Sequence, residues 1–554
     1  MTEVAQLADA LLEIQFDASP IWPALLGVDA TRPGLGDISE ADEQRTAAAV
    51  RAILDQVLAI DETALDAEDR ITREVVISQA RATLDQVDAA MVEFTVTDLF
   101  VAPAPGLLTV LPMLAIADEP QARSYLDRLA AIPAFLEEAL ERHRAGVRAG
   151  RVPVAHLVEA AIAHLDRYLA AEADPLQRPQ APDELAADFE AERGRLLAEV
   201  VRPAFAAYRD GLAADIAGHA RPADRPGLCW LPGGEASYAA LARIHTSTER
   251  TPDDLHDTGL QLAAGLAAEY AEIGVRVFGT EDLGEIFEWL RTDPALRWDT
   301  ADELLDAARS AIRRAELAAP DWFGRIPAQP CVVEAVPAAE APGAPTAYYL
   351  QPATDGSRPG TYFANTYQVT ERFRHTAEAT AFHEAIPGHH FQISIAQGLD
   401  SVPMLRRVGG FTAYTEGWGL YSERLAHEMG LYSGDEPLLG MLTFDSMRAG
   451  RLVVDTGLHA KGWSRQQAID YLIENTPMPL VEIETEVDRY IAYPGQALAY
   501  MVGRLEIQRI RAAAERALGE RFDLREFHDL VLGSGSLPLA ALDSVVRDWI
   551  AGKA

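Results

Sequence analysis

The sequence predicts a mainly α fold that carries one small β-sheet, and three observations support this. Apolar residues recur three and four apart through most of the chain, as in residues 41–60 and 121–146. The same segments are rich in Ala, Leu, Arg and Glu, which lose little on entering a helix. One stretch departs from this pattern. Between Pro330 and Asn365, the runs PCVVEAVP, TAYYLQPATDGSRPG and TYFANT are short, β-branched or aromatic, and divided by Pro, Gly and Asp. They read as a sheet of two or three strands.

The helical pattern runs from the start to about residue 218, broken at SPIWPALLG, VAPAPG and DPLQRPQAPDE. A proline- and glycine-rich boundary follows at residues 220–234, and we place an N-terminal helical subdomain at 1–225 and a second, site-bearing one at 226–554. The length of 554 residues suits two subdomains or one large helical body. Beyond the boundary, HTSTERTPDDLH supplies capping Thr and Asp before apolar periodicity resumes. After residue 365, TERFRHTAEATAFHEA is helical again.

The net charge of −37 makes nucleic-acid backbones and anionic membrane surfaces unfavourable partners. Cys229 and Cys331 are the only cysteines, too few for a disulfide framework and not in a CxxC motif. The first residues are acidic and lack the basic-then-apolar order of a secretory signal, and no apolar run approaches the ~20 residues of a membrane span. The expectation is a cytoplasmic protein.

The densest chemistry is His383-Glu384-Ala385-Ile386-Pro387-Gly388-His389-His390. Zinc takes neutral imidazoles and carboxylates, and a catalytic site leaves one position open. In the HExxH helix two histidines four apart share a face and the Glu beside the first polarises water. Here the fourth position after His383 is Pro387, and the next histidines are displaced. On an unbroken helix His389 would point roughly 120° away from His383, and His390 would lie about 10 Å further along the axis. Pro387 and Gly388 can break the helix and bring either one back, with His389 the slightly favoured choice. Glu384 stands where a general base is needed. His375 is expected on the same helix, too far along it to share the metal.

HEAIPGHHFQ resembles the signature of the large bacterial family catalogued as domain of unknown function 885. That family is similar to the gluzincin metallopeptidases, whose third ligand is a Glu on a following helix. The spacing also resembles the HExxGH signature of dipeptidyl peptidase III, with one residue more. Thr415-Glu416-Gly417-Trp418-Gly419-Leu420-Tyr421-Ser422-Glu423 resembles the NEG…YLE segment of aminopeptidases of the leukotriene-A4-hydrolase family. Carried over, Glu416 is the third ligand. Glu423, two turns on along the same face, is placed to orient a ligand histidine. The resemblance extends over residues 230–515 and includes the segments from Leu231, Arg451 and Arg489, with Met501 where a basic residue is expected. It implies two helical lobes around a cleft with the small sheet along one wall. Tyr362-Phe363-Ala364-Asn365 is then the candidate edge strand for holding extended peptide.

Arg451, Asp455 and His459 are spaced four apart and share one helical face. They read either as a salt-bridge ladder or as an oxyanion donor, His459, with its tautomer set by Asp455. The gluzincin analogy asks for a phenol on the tetrahedral intermediate, with Tyr490, Tyr493 and Tyr500 as candidates. It also asks for a cation for a substrate carboxylate, with Arg489 the candidate and Gln496 nearby. His245 and His256 are expected to be capping or core histidines. Together these readings suggest a zinc-dependent hydrolase, one Zn2+ per chain, cleaving short peptides. A hydrolase of non-peptide amides or esters and a non-catalytic metal- and peptide-binding protein are the alternatives. Manganese and cobalt would suit the same donors.

Overall fold

The computed structural model describes residues 2–338, 341 and 344–553, and it is mainly helical. The N-terminal helices start where the sequence supplies caps. α1 (Glu3–Ala18), α2 (Glu40–Ala59) and α3 (Ala67–Ala89) follow Thr2, Ser39 and Asp66, each accepting a backbone N–H of the first turn, as does Asp118 before the long α4 (Glu119–Arg148). After α5 (Gly234–Thr246), α6 (Pro252–Val277) begins with Thr251 as cap, Pro252 in its first turn and Asp253 and Asp254 at its positive end. α7 (Ala301–Trp322) leads into the sheet.

The sheet has three strands, β1 (Val332–Ala335), β2 (Ala347–Leu350) and β3 (Thr361–Ala364), in the order β1-β3-β2. β1 pairs with β3 in parallel and β2 pairs with it antiparallel. β3 is therefore central, and its four residues are all buried. This corrects the expectation for Tyr362–Asn365: both sides of β3 are already hydrogen-bonded, so it has no free edge for a peptide. The outer edges of the sheet belong to β1 and β2.

The chain then forms α8 (Ala377–Glu384), α9 (His389–Gln397), α10 (Thr412–Glu428), α11 (Asp435–His459), α12 (Leu480–Ala492) and α13 (Ala499–Leu518). His375 precedes α8 instead of lying on it, because the helix begins only at Ala377, with Thr376 as its cap. α11 lies along α6, and α10 lies along α13. The second pair approaches closely through glycine. A Cβ at Gly417 would stand 2.5 Å from Gly503 Cα, and one at Gly503 would stand 1.8 Å from the Ala413 carbonyl oxygen.

Apolar side chains of α1–α3 join residues of α7, β3, α8–α10 and α13 in one core, and a second core gathers residues between Leu25 and Ile216. The boundary we propose at residue 225 is thus crossed by the first three helices. Among the described residues no helix is long and apolar enough to cross a membrane. Cys229 and Cys331 are free.

Candidate metal centre

The chain leaves helical geometry between α8 and α9. Ala385 has φ −110° and ψ −98°, and Gly388 has φ −81° and ψ −128°. Gly388 packs so tightly on the end of α8 that a Cβ there would lie 1.8 Å from the His383 carbonyl oxygen. The fully buried Trp418 donates its indole N–H to the Pro387 carbonyl at 2.8 Å and so ties the break to α10. The turn reverses the displacement that an unbroken helix would impose, and His389, as the first residue of α9, faces His383 with ring centroids 4.6 Å apart.

His383 Nε2, His389 Nε2 and the Glu416 carboxylate converge. Glu416 Oε2 is 3.5 Å from His383 Nε2 and 3.4 Å from His389 Nε2, and the three ligand atoms lie within 4.8 Å of one another. Donors ~2.0–2.1 Å from a tetrahedral zinc stand about 3.3–3.4 Å apart, so these residues fit a small divalent ion in position and in chemistry.

The surroundings set the tautomer. His383 Nδ1 donates to Glu423 Oε1 at 2.8 Å, which leaves Nε2 to present its lone pair to the centre. Glu423 is completely buried, and its second oxygen has no hydrogen-bond partner among the described residues. The His383 ring rests on Gly419, where a Cβ would stand 2.7 Å from its Cε1. Burial alone would lower the His383 pKa, but hydrogen bonds with Glu416 and Glu423 push it up to about 9. Burial alone would raise that of Glu416, but His389 and His383 hold it well below the usual carboxylate range. Without a metal the imidazolium of His383 thus offsets the Glu416 carboxylate, and an arriving cation must displace the proton on His383 Nε2. Glu416 keeps 19% of its side-chain surface accessible even though desolvation is the largest influence on it, which marks a recess and not a convex surface.

Glu384, next to His383 at the end of α8, is partly exposed, and its charge acts on His383, on the buried Tyr362 and on the half-buried Cys331. Tyr493 and Tyr500 also keep accessible surface, and the charge of Glu416 pushes both phenols up, after burial as the larger cause. The Tyr500 ring lies 6.3 Å from that of His383 and is nearly parallel to it.

Five expected residues point elsewhere. His390 is turned away from the triad, because adjacent helical residues diverge by about 100°. Its Nδ1 meets the Tyr349 hydroxyl at 2.9 Å and its Nε2 the Gln329 carbonyl at 2.9 Å. His459 is buried with both ring nitrogens engaged. Nδ1 accepts from the Leu228 amide at 3.1 Å, and Nε2 donates to the Tyr490 carbonyl at 3.0 Å. Burial brings its pKa down to about 4, so it has neither a free donor nor a positive charge for an oxyanion. Asp455 does not touch it. This carboxylate accepts from the Tyr238 hydroxyl at 2.6 Å and the Gly495 amide at 3.1 Å. Tyr490 donates its hydroxyl to Glu486 Oε2 at 2.6 Å and accepts from Arg451 Nε at 3.0 Å, so its phenol is committed within the fold. Arg489 is held by Glu486 at 2.9 Å and by Gln496 at 2.6 Å.

His245 and His256 are buried, as expected of core histidines, against Thr412 and Thr456 respectively. Sequence reasoning missed Gly419, Glu486 and Arg448. Their only signal was position: Gly419 lies between Glu416 and Glu423, Glu486 lies one turn before Tyr490, and Arg448 lies one turn before Arg451.

No curated protein matches the chain. Among solved structures it is similar to a protein from Colwellia psychrerythraea described as a "putative lipoprotein", with 28% identity, 99% of both chains covered and a TM-score of 0.90. It is also similar to a protein from Shewanella oneidensis, a "putative lipoprotein of unknown function", with 19% identity, 99% of this chain and 100% of that chain covered and a TM-score of 0.73, a likeness that shows the fold alone. The family model described as bacterial protein of unknown function, DUF885, matches residues 20–546, and the chain belongs to that family.

Proposed function

We propose that the chain is a metal-dependent hydrolase, a zinc metallopeptidase acting on short peptides. The observation that supports this is the convergence of two imidazole nitrogens and one carboxylate, with the carboxylate 3.5 and 3.4 Å from the two nitrogens and all three ligand atoms within 4.8 Å of one another. His383, His389 and Glu416 would hold the ion, which when bound supplies Lewis-acid polarisation of a carbonyl and activation of water. Glu423 would fix the donor nitrogen of His383 by taking its Nδ1 proton in a hydrogen bond. Glu384 would accept the proton of the attacking water and return it to the leaving amine.

With Tyr490 and His459 committed within the fold, the oxyanion donor we propose is Tyr500, with Tyr493 beside it. Both are partly exposed and lie within electrostatic reach of Glu416. Elemental analysis of the purified chain, followed by a screen of short peptides against small amides and esters, tests this reading. A zinc-loaded protein that cleaves amides or esters but no peptide would replace the substrate class and keep the chemistry. Nucleic acids and membranes are not proposed as partners. We also propose a cytoplasmic location, on the sequence reading above, and cell fractionation is its test, since the two solved relatives are described as lipoproteins.

A further inference from the structure

The cation expected to meet a substrate carboxylate, Arg489, is already paired, whereas Arg448 and Arg451 on the neighbouring helix keep guanidinium nitrogens without a hydrogen-bond partner among the described residues, Arg448 packing 4.4 Å from the centre of the Phe444 ring. Arg448 and Arg451, one turn apart on α11, flank the ring of Tyr500, with Cζ atoms 5.8 Å and 4.4 Å from its centroid. Arg451 donates Nε to the Tyr490 hydroxyl and Nη2 to Glu486 Oε2 at 2.8 Å, while its Nη1 meets no acceptor among the described residues. Arg448 has two such atoms, Nε and Nη1. Its Nη2 stands 3.8 Å from Glu423 Oε1, beyond hydrogen-bond reach. Arg448 is 7% exposed and Arg451 5%. A guanidinium taken out of water with unused N–H groups is costly, and here two of them lie side by side next to the triad, where a ligand's carboxylate would supply the missing acceptors. Tyr500 joins them to the triad, since its ring lies 6.3 Å from that of His383.

We propose that Arg448 and Arg451, with Tyr500 between them, form a subsite for a carboxylate of the substrate, either its C-terminus or an acidic side chain. The proposal rests on the hydrolase reading above and narrows its substrate to an anionic peptide. A carboxylate fits better than a phosphate. Its planar, singly charged group matches guanidinium forks, whereas the nearby carboxylates of Glu423, Glu416 and Glu486 would repel a dianion. The positions of the rings put the carboxylate about one to three residues from the bond to be cut, at ~3.5 Å per extended residue.

Calorimetric titration tests this with four probes: N-acetyl-dialanine, its C-terminal amide, N-acetyl-alanyl-aspartyl amide and inorganic phosphate. Each is titrated into the full chain, both supplied with zinc and treated with chelator. We expect the free acid to bind roughly ten- to a hundredfold tighter than the amide in both forms. The difference should collapse in Arg448→Met, checked for folding by circular dichroism, and return in part in Arg448→Lys. Tight binding of the aspartyl amide would assign the side chain as the source of the carboxylate. Equal binding of acid and amide would overturn the subsite, as would tighter binding of phosphate. A preference that needs zinc and survives Arg448→Met would also overturn it, because the acid would then be meeting only the metal. If Arg448→Met does not fold, the chelator-treated wild type and Arg448→Lys decide in the same way. Zinc binding without an acid preference sinks the subsite alone, and an acid preference without zinc binding sinks the hydrolase reading alone.

Discussion

Glu423 Oε1 lies 2.8 Å from His383 Nδ1, on the face of α10 that also carries Glu416, whose carboxylate stands 3.5 Å from the other nitrogen of the same ring. Two carboxylates two turns apart therefore hold one imidazole from both sides. Removing the outer one in Glu423→Ala frees the ring to rotate and releases its tautomer. Metal affinity should fall roughly 10- to 100-fold, with Glu423→Gln affected less because its amide oxygen still accepts. Competition with a chromophoric chelator measures this, and unchanged affinity in Glu423→Ala would remove Glu423 from the site.

Gly419 is the seat of that ring. In Gly419→Ala the new methyl group would meet His383 Cε1 at 2.7 Å, with the ring already pinned by its hydrogen bond. The imidazole must shift, and we expect zinc affinity to drop at least roughly tenfold while the chain stays folded. An alanine variant with wild-type affinity would show that the ring has room the geometry denies it.

Glu384→Gln separates chemistry from binding. The variant should retain its metal and lose hydrolysis by roughly a hundredfold or more. Full activity in the variant would exclude Glu384 as the base.

Asp455 gives a pH-dependence that has nothing to do with the metal. Burial raises its pKa to about 7, against the lowering effect of Tyr238 and Gly495. Below pH about 4 the folded and unfolded chains both hold the proton, and the contribution of this group is whole. As pH rises further, the unfolded carboxyl ionises first, so stability is lost until the folded one ionises near 7. Urea melts of chelator-treated protein at pH 4, 5.5 and 7 should show the wild type losing stability relative to Asp455→Asn. Parallel pH-dependence in the two proteins would refute the assignment.

The helices were legible because their apolar period is a local signal, and in HTSTERTPDDLH the expected capping Thr is Thr251. The triad was legible in its residue types, but the choice between His389 and His390 was not. It depends on backbone angles at Ala385 and Gly388, which a Pro-Gly pair permits without specifying. The i, i+4 spacing placed Arg451, Asp455 and His459 on one face but could not say what that face meets. It meets Tyr490, Tyr238 and Leu228, which take up hydrogen bonds of Arg451, Asp455 and His459 respectively. Strand order was equally hidden, since TYFANT reads as a strand whether it pairs on one side or both. The buried donors of Arg448 can be seen only once α11 and α13 are packed together.

The most direct test of the metal centre is the zinc content of the purified chain by elemental analysis, measured beside His383→Ala, His389→Ala and Glu416→Ala. The structure leads us to expect about one zinc per wild-type chain, lost in all three variants and retained in His390→Ala. A wild-type chain that holds no metal after zinc is supplied and the excess removed would contradict the account. So would a chain in which His390→Ala loses the metal and His389→Ala keeps it.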